Sequence, residues 1–414
     1  FGFPGAGTNA AHNLPLGGNP SNDEVARQAF NDAARSLFVP SDELDRAIGA
    51  LAVHGKQNRP PESRHPLAFR HPPSPRLPEP DWTRAGSPAD CAMHALDRWF
   101  VRLVDHNPEL RPRVGNPDEL RSNHMGATLD RLRHRVNVCE PGTAEAVDGA
   151  VITALNEEAV AGAALANKGG LNLIVSYEAF AMKMLGGLRQ EIVFARRQRE
   201  IGRQPGWISV PLVVTSHTWE NSKNEQSHQD PTIGEALLGE MSDTARVLFP
   251  VDANTAMAAL RSVYGGRGQV ACLIVSKRDM PHRLDAETAT RFVEDGAAHF
   301  EGVPDAADLQ IVAIGAYQLE EALKAASRLG RHGHRVLVTG ICEPGRFRQP
   351  RDPIEAAFTA GDDAVAALFP PDLPRVIVTH TRPEPMLGLL RRLDGGPRRT
   401  TALGYISRGG TFDV

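Results

Sequence analysis

The sequence predicts an α/β protein with two doubly wound, mainly parallel sheet domains preceded by a long linker. Three observations lead there. Short β-branched apolar runs, Leu171 to Val175, Pro211 to Thr215 and Val270 to Val275, alternate with helical stretches at Glu157 to Ala166, Ala179 to Gln198, Ile233 to Met241 and Asn254 to Tyr264, the alternation of a parallel sheet with crossover helices. A second such alternation follows a linker at Gly302 to Asp305: strands at Leu309 to Ala313, Arg335 to Thr339 and Arg375 to Thr379, with helices at Glu320 to Leu329 and Pro385 to Arg392. Before both, Gln57 to Pro88 is dense in proline and basic residues, a composition that holds extended chain and forms no compact domain alone.

The remaining elements follow in order. Phe1 to Pro20 is rich in Gly, Pro and Asn, which favour turns. Ser21-Asn-Asp-Glu24 reads as the cap of a helix reaching about Leu37, with Val25, Ala29, Phe30, Ala33 and Leu37 on one face. A second helix starts at Ser41-Asp42. Asp90 to His106 spaces Ala92, Ala95, Leu96, Trp99, Phe100 and Leu103 as one helical face. The expected partition is residues 1–88 for loop, helices and linker, 89–304 for the first sheet domain and 305–414 for the second.

Bulk properties narrow the function. A chain of 414 residues holds two or three domains with real cores. Its 46 basic and 50 acidic residues balance to −4, which argues against a nucleic-acid surface or a membrane-attracted face. Four cysteines, Cys91, Cys139, Cys272 and Cys342, form no CxxC pair and no metal-ligand spacing, so the expected setting is a reducing cytoplasm. No run reaches about 18 apolar residues. The chain opens at Phe1 and ends on Thr-Phe-Asp-Val, and is expected to be a fragment or processed piece.

The most informative stretch runs from Val213 to Pro231. The strand Pro211 to Thr215 spills at its carboxyl end into a polar loop with His217, Lys223, Asn224 and His228, and ligands of open α/β sheets bind at that end of the strands. Taken alone, the loop is more readily a solvated surface segment whose histidines do nothing. Its Ser-His-Thr-Trp and Ser-His-Gln-Asp-Pro runs, however, resemble the substrate loop of phosphoketolases, thiamine diphosphate enzymes that cleave ketose phosphates. Collinear matches extend the resemblance over nearly the whole chain: Gly7-Thr8, Ala11 to Leu16, Gly115 to Asn123, Leu155-Asn-Glu157, Ser176 to Phe180, Pro250 to Thr255, Ser276-Lys277 and Gly404-Tyr405.

The resemblance implies a pyrimidine-binding domain at 89–304 and a transketolase-type C-terminal domain at 305–414. It makes Glu157, otherwise an ordinary helix-start carboxylate, the group that holds the cofactor's aminopyrimidine and stabilises its imino tautomer. Tyr177 and Phe180 would flank that ring. His12, His217 and His228 would handle substrate hydroxyls and protons, while Arg199, Lys223, Asn224 and Lys277 would bind phosphate. Asp118, Glu119, Ser122 and Asn123 would support the site from near a subunit contact. The implied reaction cleaves a 2-ketose phosphate with inorganic phosphate to acetyl phosphate and an aldose phosphate. Gly162 and Gly169-Gly170 match no nucleotide-binding spacing and read as helix-end glycines.

Two departures matter. Lys223 stands where the family usually has histidine, after Glu220-Asn221-Ser222 in place of Arg-Gln-Asp, replacing a titrating group with a fixed cation. A Gly-Asp-Gly motif is also lacking, so magnesium and the diphosphate are expected on a missing domain or subunit, within a homo- or hetero-oligomer. The altered loop leaves open a transketolase-like two-carbon transfer to an acceptor other than phosphate, or a non-catalytic partner subunit.

Overall fold

The computed structural model describes residues 16–57, 71–117, 119–215, 218–220 and 229–406. The chain divides into two compact units, residues 1–69 with 134–149, and residues 70–133 with 150–414. In the first, helix α1 (Glu24–Ser36) starts at Asp23, whose carboxylate accepts the Val25 and Ala26 amides at 2.8 and 3.1 Å, satisfying donors that a helix start leaves open. Helix α2 (Ser41–Gly55) follows. A short parallel pair joins His134–Arg135 to Glu145–Ala146.

The second unit carries both main sheets. In chain order the first sheet uses β1 (Arg111–Gly115), β2 (Val151–Ile152), β3 (Gly170–Tyr177), β4 (Val210–Thr215), β5 (Ala245–Leu248) and β6 (Val270–Ile274). They lie side by side as β2-β1-β3-β4-β6-β5, every pair parallel. The centre reads as continuous apolar chain because helices cover both faces: β4 and β6 are buried at every residue. Helix α3 (Ala92–His106) buries the face predicted from its spacing, Trp99 and Phe100 included.

The second sheet adds β7 (Ala297–Glu301), β8 (Leu309–Ile314), β9 (Val336–Ile341), β10 (Arg375–Thr379) and β11 (Thr400–Leu403). Their order is β7-β9-β8-β10-β11, parallel except for the antiparallel edge β7. Residues 297–301 thus pair with the second sheet although they precede the Gly302–Asp305 linker. Gly170 opens β3 rather than ending a helix: a Cβ there would collide with the Arg111 carbonyl oxygen, so close strand approach requires the glycine.

One hydrophobic cluster runs through both sheets, from Ile174, Leu212 and Ile274 to Ile314, Ile341 and Phe347. Polar contacts reinforce it. Arg348 donates to the carbonyls of Leu238 and Glu240, and Arg351 to that of Gly239 at 2.9 Å, so guanidinium groups of the second domain close the carboxyl end of the helix Thr232–Gly239. Glu355, fully buried, organises this joint by accepting from the Ser242 amide at 2.9 Å and from Arg351.

Residues 71–88 cross the first domain as an extended strap. Asn107 receives the Arg76 amide at 2.7 Å and donates to the Arg76 carbonyl at 2.9 Å; Asn254 does the same for Thr83 at 3.0 and 2.6 Å. Each amide side chain replaces the neighbouring strand that this proline-rich segment lacks. Trp99 adds a bond to the Pro78 carbonyl, 3.0 Å.

Burial pushes the Glu355 carboxyl up, but the bonds from Arg351 and Ser242 outweigh it and hold the pKa at about 2. Its stabilisation is therefore complete above the ordinary carboxylate value of 4.5 and is lost as pH falls through about 2. Glu355→Gln should cost about 3 kcal/mol near neutrality, a deficit that shrinks as pH falls from 4.5 towards 2; urea unfolding of both proteins across that range reads it.

Candidate active site

The carboxyl edge of the first sheet carries a cavity of about 200 Å³, lined by Pro117, Leu155, Glu157, Ser176, Tyr177, Phe180 and Lys183. Its parts come from three strand ends. Asn156 caps the helix Glu157–Leu165 by accepting the Ala159 amide at 2.9 Å, which places Glu157 at the first helical position. There the peptide dipoles favour a carboxylate. Lys183 meets it at 3.1 Å from a largely exposed stem, while Glu157 is itself mostly buried. The strand β3 delivers Ser176 and Tyr177, and the short helix Glu178–Ala181 presents Phe180. The Tyr177 and Phe180 rings are 5.9 Å apart and inclined at 54°.

A polar group adjoins this wall. The Tyr177 hydroxyl and Ser122 Oγ are 2.5 Å apart, and Lys277 Nζ lies 5.0 Å above the Tyr177 ring while donating to the Ser122 carbonyl at 3.2 Å. Burial lowers the Lys277 pKa, with Glu220 opposing. Asn123, buried, bonds Thr215 Oγ1 and so fastens the Ser122 turn to the end of β4. Five predicted residues, Glu157, Tyr177, Phe180, Ser122 and Lys277, thus form one connected neighbourhood.

Arg199 is not among them. The helix Leu185–Glu200 runs antiparallel to the strands and returns its carboxyl end to their amino-terminal edge, where Arg199 donates to the Arg267 carbonyl at 3.1 Å and packs over Phe358. Burial lowers its pKa, against the pull of Asp243. His12, His217, Lys223, Asn224 and His228 lie outside the described residues, as does Asp118.

Two buried carboxylates to which the sequence assigns no role, Glu178 and Glu220, hold the edge together. Glu178 accepts the amide and hydroxyl of Thr218 at 2.7 and 3.0 Å and meets His380 Nε2 at 2.8 Å. The indole of Trp219 donates to the His380 carbonyl at 2.9 Å. Glu220 accepts the Lys277 amide at 3.0 Å, the Ser276 hydroxyl and the Tyr317 hydroxyl at 3.1 Å; burial beside it raises the Tyr317 pKa. The Thr379-His380-Thr381 run, polar directly after a β-branched strand, was the available signal for His380.

The sequence profile described as "D-xylulose 5-phosphate/D-fructose 6-phosphate phosphoketolase" matches residues 94–265. A probable phosphoketolase of Streptomyces avermitilis is 26% identical over 92% of this chain and 50% of its own length; one of Brucella abortus is 29% identical over 73% of this chain and 40% of its own. The chain is similar to phosphoketolases over most of its length. It spans about half the length of the curated family relatives it matches. Transketolases of Leishmania mexicana (TM-score 0.57, 18% identity, 87% of this chain and 47% of that one) and Campylobacter jejuni (0.58, 12%, 94% and 50%) share the fold. The two-sheet architecture is accordingly of the transketolase type. Among the described residues no helix is long and apolar enough to cross a membrane.

Glu178→Gln should remove charge-assisted bonds to Thr218 and His380 and cost about 1.5–3 kcal/mol, measured by urea unfolding.

Proposed function

We propose that this chain supplies the pyrimidine-binding and C-terminal portion of a thiamine diphosphate-dependent phosphoketolase, cleaving a 2-ketose phosphate with inorganic phosphate to acetyl phosphate and an aldose phosphate. The observation that carries this reading is the meeting of Glu157, Tyr177 and Phe180 around one cavity in a chain similar to phosphoketolases. The donor set suits an aminopyrimidine. It combines a mostly buried carboxylate, two aromatic faces and the buried Ser176 Oγ, which has no hydrogen-bond partner among the described residues.

When bound, thiamine diphosphate would supply the electron sink for breaking the carbon–carbon bond beside the substrate carbonyl. Glu157 would hold a proton at the pyrimidine ring nitrogen, and its partner Lys183, on an exposed flexible stem, can swing aside. Tyr177 and Phe180 would fix the ring's orientation. Lys277 and Ser122, a few ångströms further along the edge, would receive phosphate by charge-assisted bonds, joined by Lys223 and Asn224, with His12, His217 and His228 as proton carriers. Arg199, at the opposite edge, is left out of this assignment.

The diphosphate and its magnesium are assigned to polypeptide outside these 414 residues, within a homo- or hetero-oligomer, since the match spans half or less of the curated relatives.

In the complete enzyme, acetyl phosphate should form from xylulose 5-phosphate or fructose 6-phosphate only when inorganic phosphate is present; two-carbon transfer to a sugar acceptor without phosphate would replace this reading with a ketol transferase. Glu157→Gln should fold normally and lose at least about a hundredfold in turnover, and wild-type turnover would reduce Glu157 to a helix cap. Lys277→Ala should raise the saturation constant for phosphate or sugar phosphate about ten- to a hundredfold, the loss of about 1.5–3 kcal/mol, and leave cofactor binding nearly unchanged.

A further inference from the structure

The turn that carries Ser122 ends at His124, and behind it lies a group of side chains for which the proposed reaction has no use. Cys91 ends the short strand Asp90–Cys91, which pairs with Asp279–Met280. His94 lies three residues on, at the start of α3. His124 reaches them from the far end of the turn. The Cys91 Sγ is 3.2 Å from His124 Nδ1, the two imidazoles stack with centroids 4.6 Å apart, and one donor atom from each residue lies within 4.8 Å of the other two.

We propose that Cys91, His94 and His124 bind a zinc-class divalent ion, with three protein ligands and a fourth position facing solvent. One thiolate and two imidazoles suit zinc or its tetrahedral analogues and are wrong for magnesium, which demands oxygen. A tetrahedral ion with zinc-like bond lengths spaces its ligand atoms roughly 3.3–3.6 Å apart; Cys91 and His124 are already at 3.2 Å, and the donor atom of the exposed His94, within 4.8 Å of both, closes in on binding. The burial is graded as an open site requires, with Cys91 buried, His124 half-buried and His94 exposed.

A plain structural role accounts for less. A Cys–His hydrogen bond explains the Cys91–His124 contact, but gives no role to the exposed imidazole of His94 stacked on the same ring. His124 also adopts a left-handed backbone, φ +60°, which a non-glycine residue takes at some cost. The surrounding charge is mixed. Asp90 and Asp279 act on Cys91 and favour a cation, whereas Lys277, whose carbonyl accepts from the Cys91 thiol at 3.3 Å, opposes it. Binding therefore exchanges the Cys91 proton, released to solvent, for the metal bond.

The ion would clamp the 119–124 turn to the amino end of α3 and steady Ser122, two residues from His124.

The test uses the full chain, reduced and stripped of metal with a chelator, then titrated with cobalt(II) under anaerobic conditions. The expected result is one equivalent bound, with visible bands of four-coordinate intensity, a near-ultraviolet thiolate-to-cobalt band, and displacement by zinc. Cys91→Ser should abolish the thiolate band. His94→Ala alters an exposed position that leaves the fold intact, and should weaken cobalt binding at least about tenfold. Absence of the thiolate band in the wild type, its survival in Cys91→Ser, which would assign it to another thiol such as the exposed Cys139, or wild-type affinity in His94→Ala would each overturn the site.

Discussion

The carboxylate of Glu178 is the point on which both sheet domains converge. It sits fully buried at the end of β3, takes two bonds from Thr218 at the root of the loop after β4, and meets His380 at the end of β10 in the other sheet. Two segments, 40 and 202 residues away in sequence, are thereby joined to the end of β3 by one group. A buried charge is costly unless its oxygens are occupied, so the network specifies geometry: the arrangement that satisfies Glu178 is also the one that brings the strand ends into line. Tyr177 immediately precedes it and Phe180 follows by two residues, and the aromatic wall inherits its orientation from this anchor.

Glu220 plays a parallel part a short distance along the edge. By accepting the Lys277 amide, the Ser276 hydroxyl and the Tyr317 hydroxyl, it holds the backbone of Lys277 while leaving the ammonium free to reach past Tyr177 towards Ser122. The negative charge also offsets the desolvation of that lysine. A residue that differs from the usual family loop is thus a structural carboxylate here, joining the loop root to β6 and to the first turn of the helix Ala316–Arg331.

The β-branched runs were legible because central parallel strands are buried on both sides; Gly170–Tyr177, Val210–Thr215 and Val270–Ile274 fall within a few residues of their expected places. Strands flanked by polar residues were not. Arg111–Gly115 contains two arginines and a proline, Ala245–Leu248 has only four residues, and Ala297–Glu301 joins its sheet as an antiparallel edge; none carries a periodic signal. Of the candidate site, Glu157, Tyr177 and Phe180 were singled out by the resemblance, while the helix start and strand end that carry them were legible from local pattern. Arg199 could not, because proximity in sequence to a strand does not reveal which edge of the sheet a helix end returns to. His380 belongs to a pairing made across 202 residues, which local pattern cannot express.

The strap at 71–88 has a bearing on the order of assembly. Its anchors are Asn107, Trp99 and Asn254, the last 171 residues distant from Thr83. These side chains are in position only after α3 and the helix Ala253–Gly265 have docked on the parallel sheet, a step that itself needs contacts between remote strands. The strap therefore orders late and fastens what has already formed. Its prolines make this inexpensive: a segment held near an extended conformation before binding loses little freedom on being laid down.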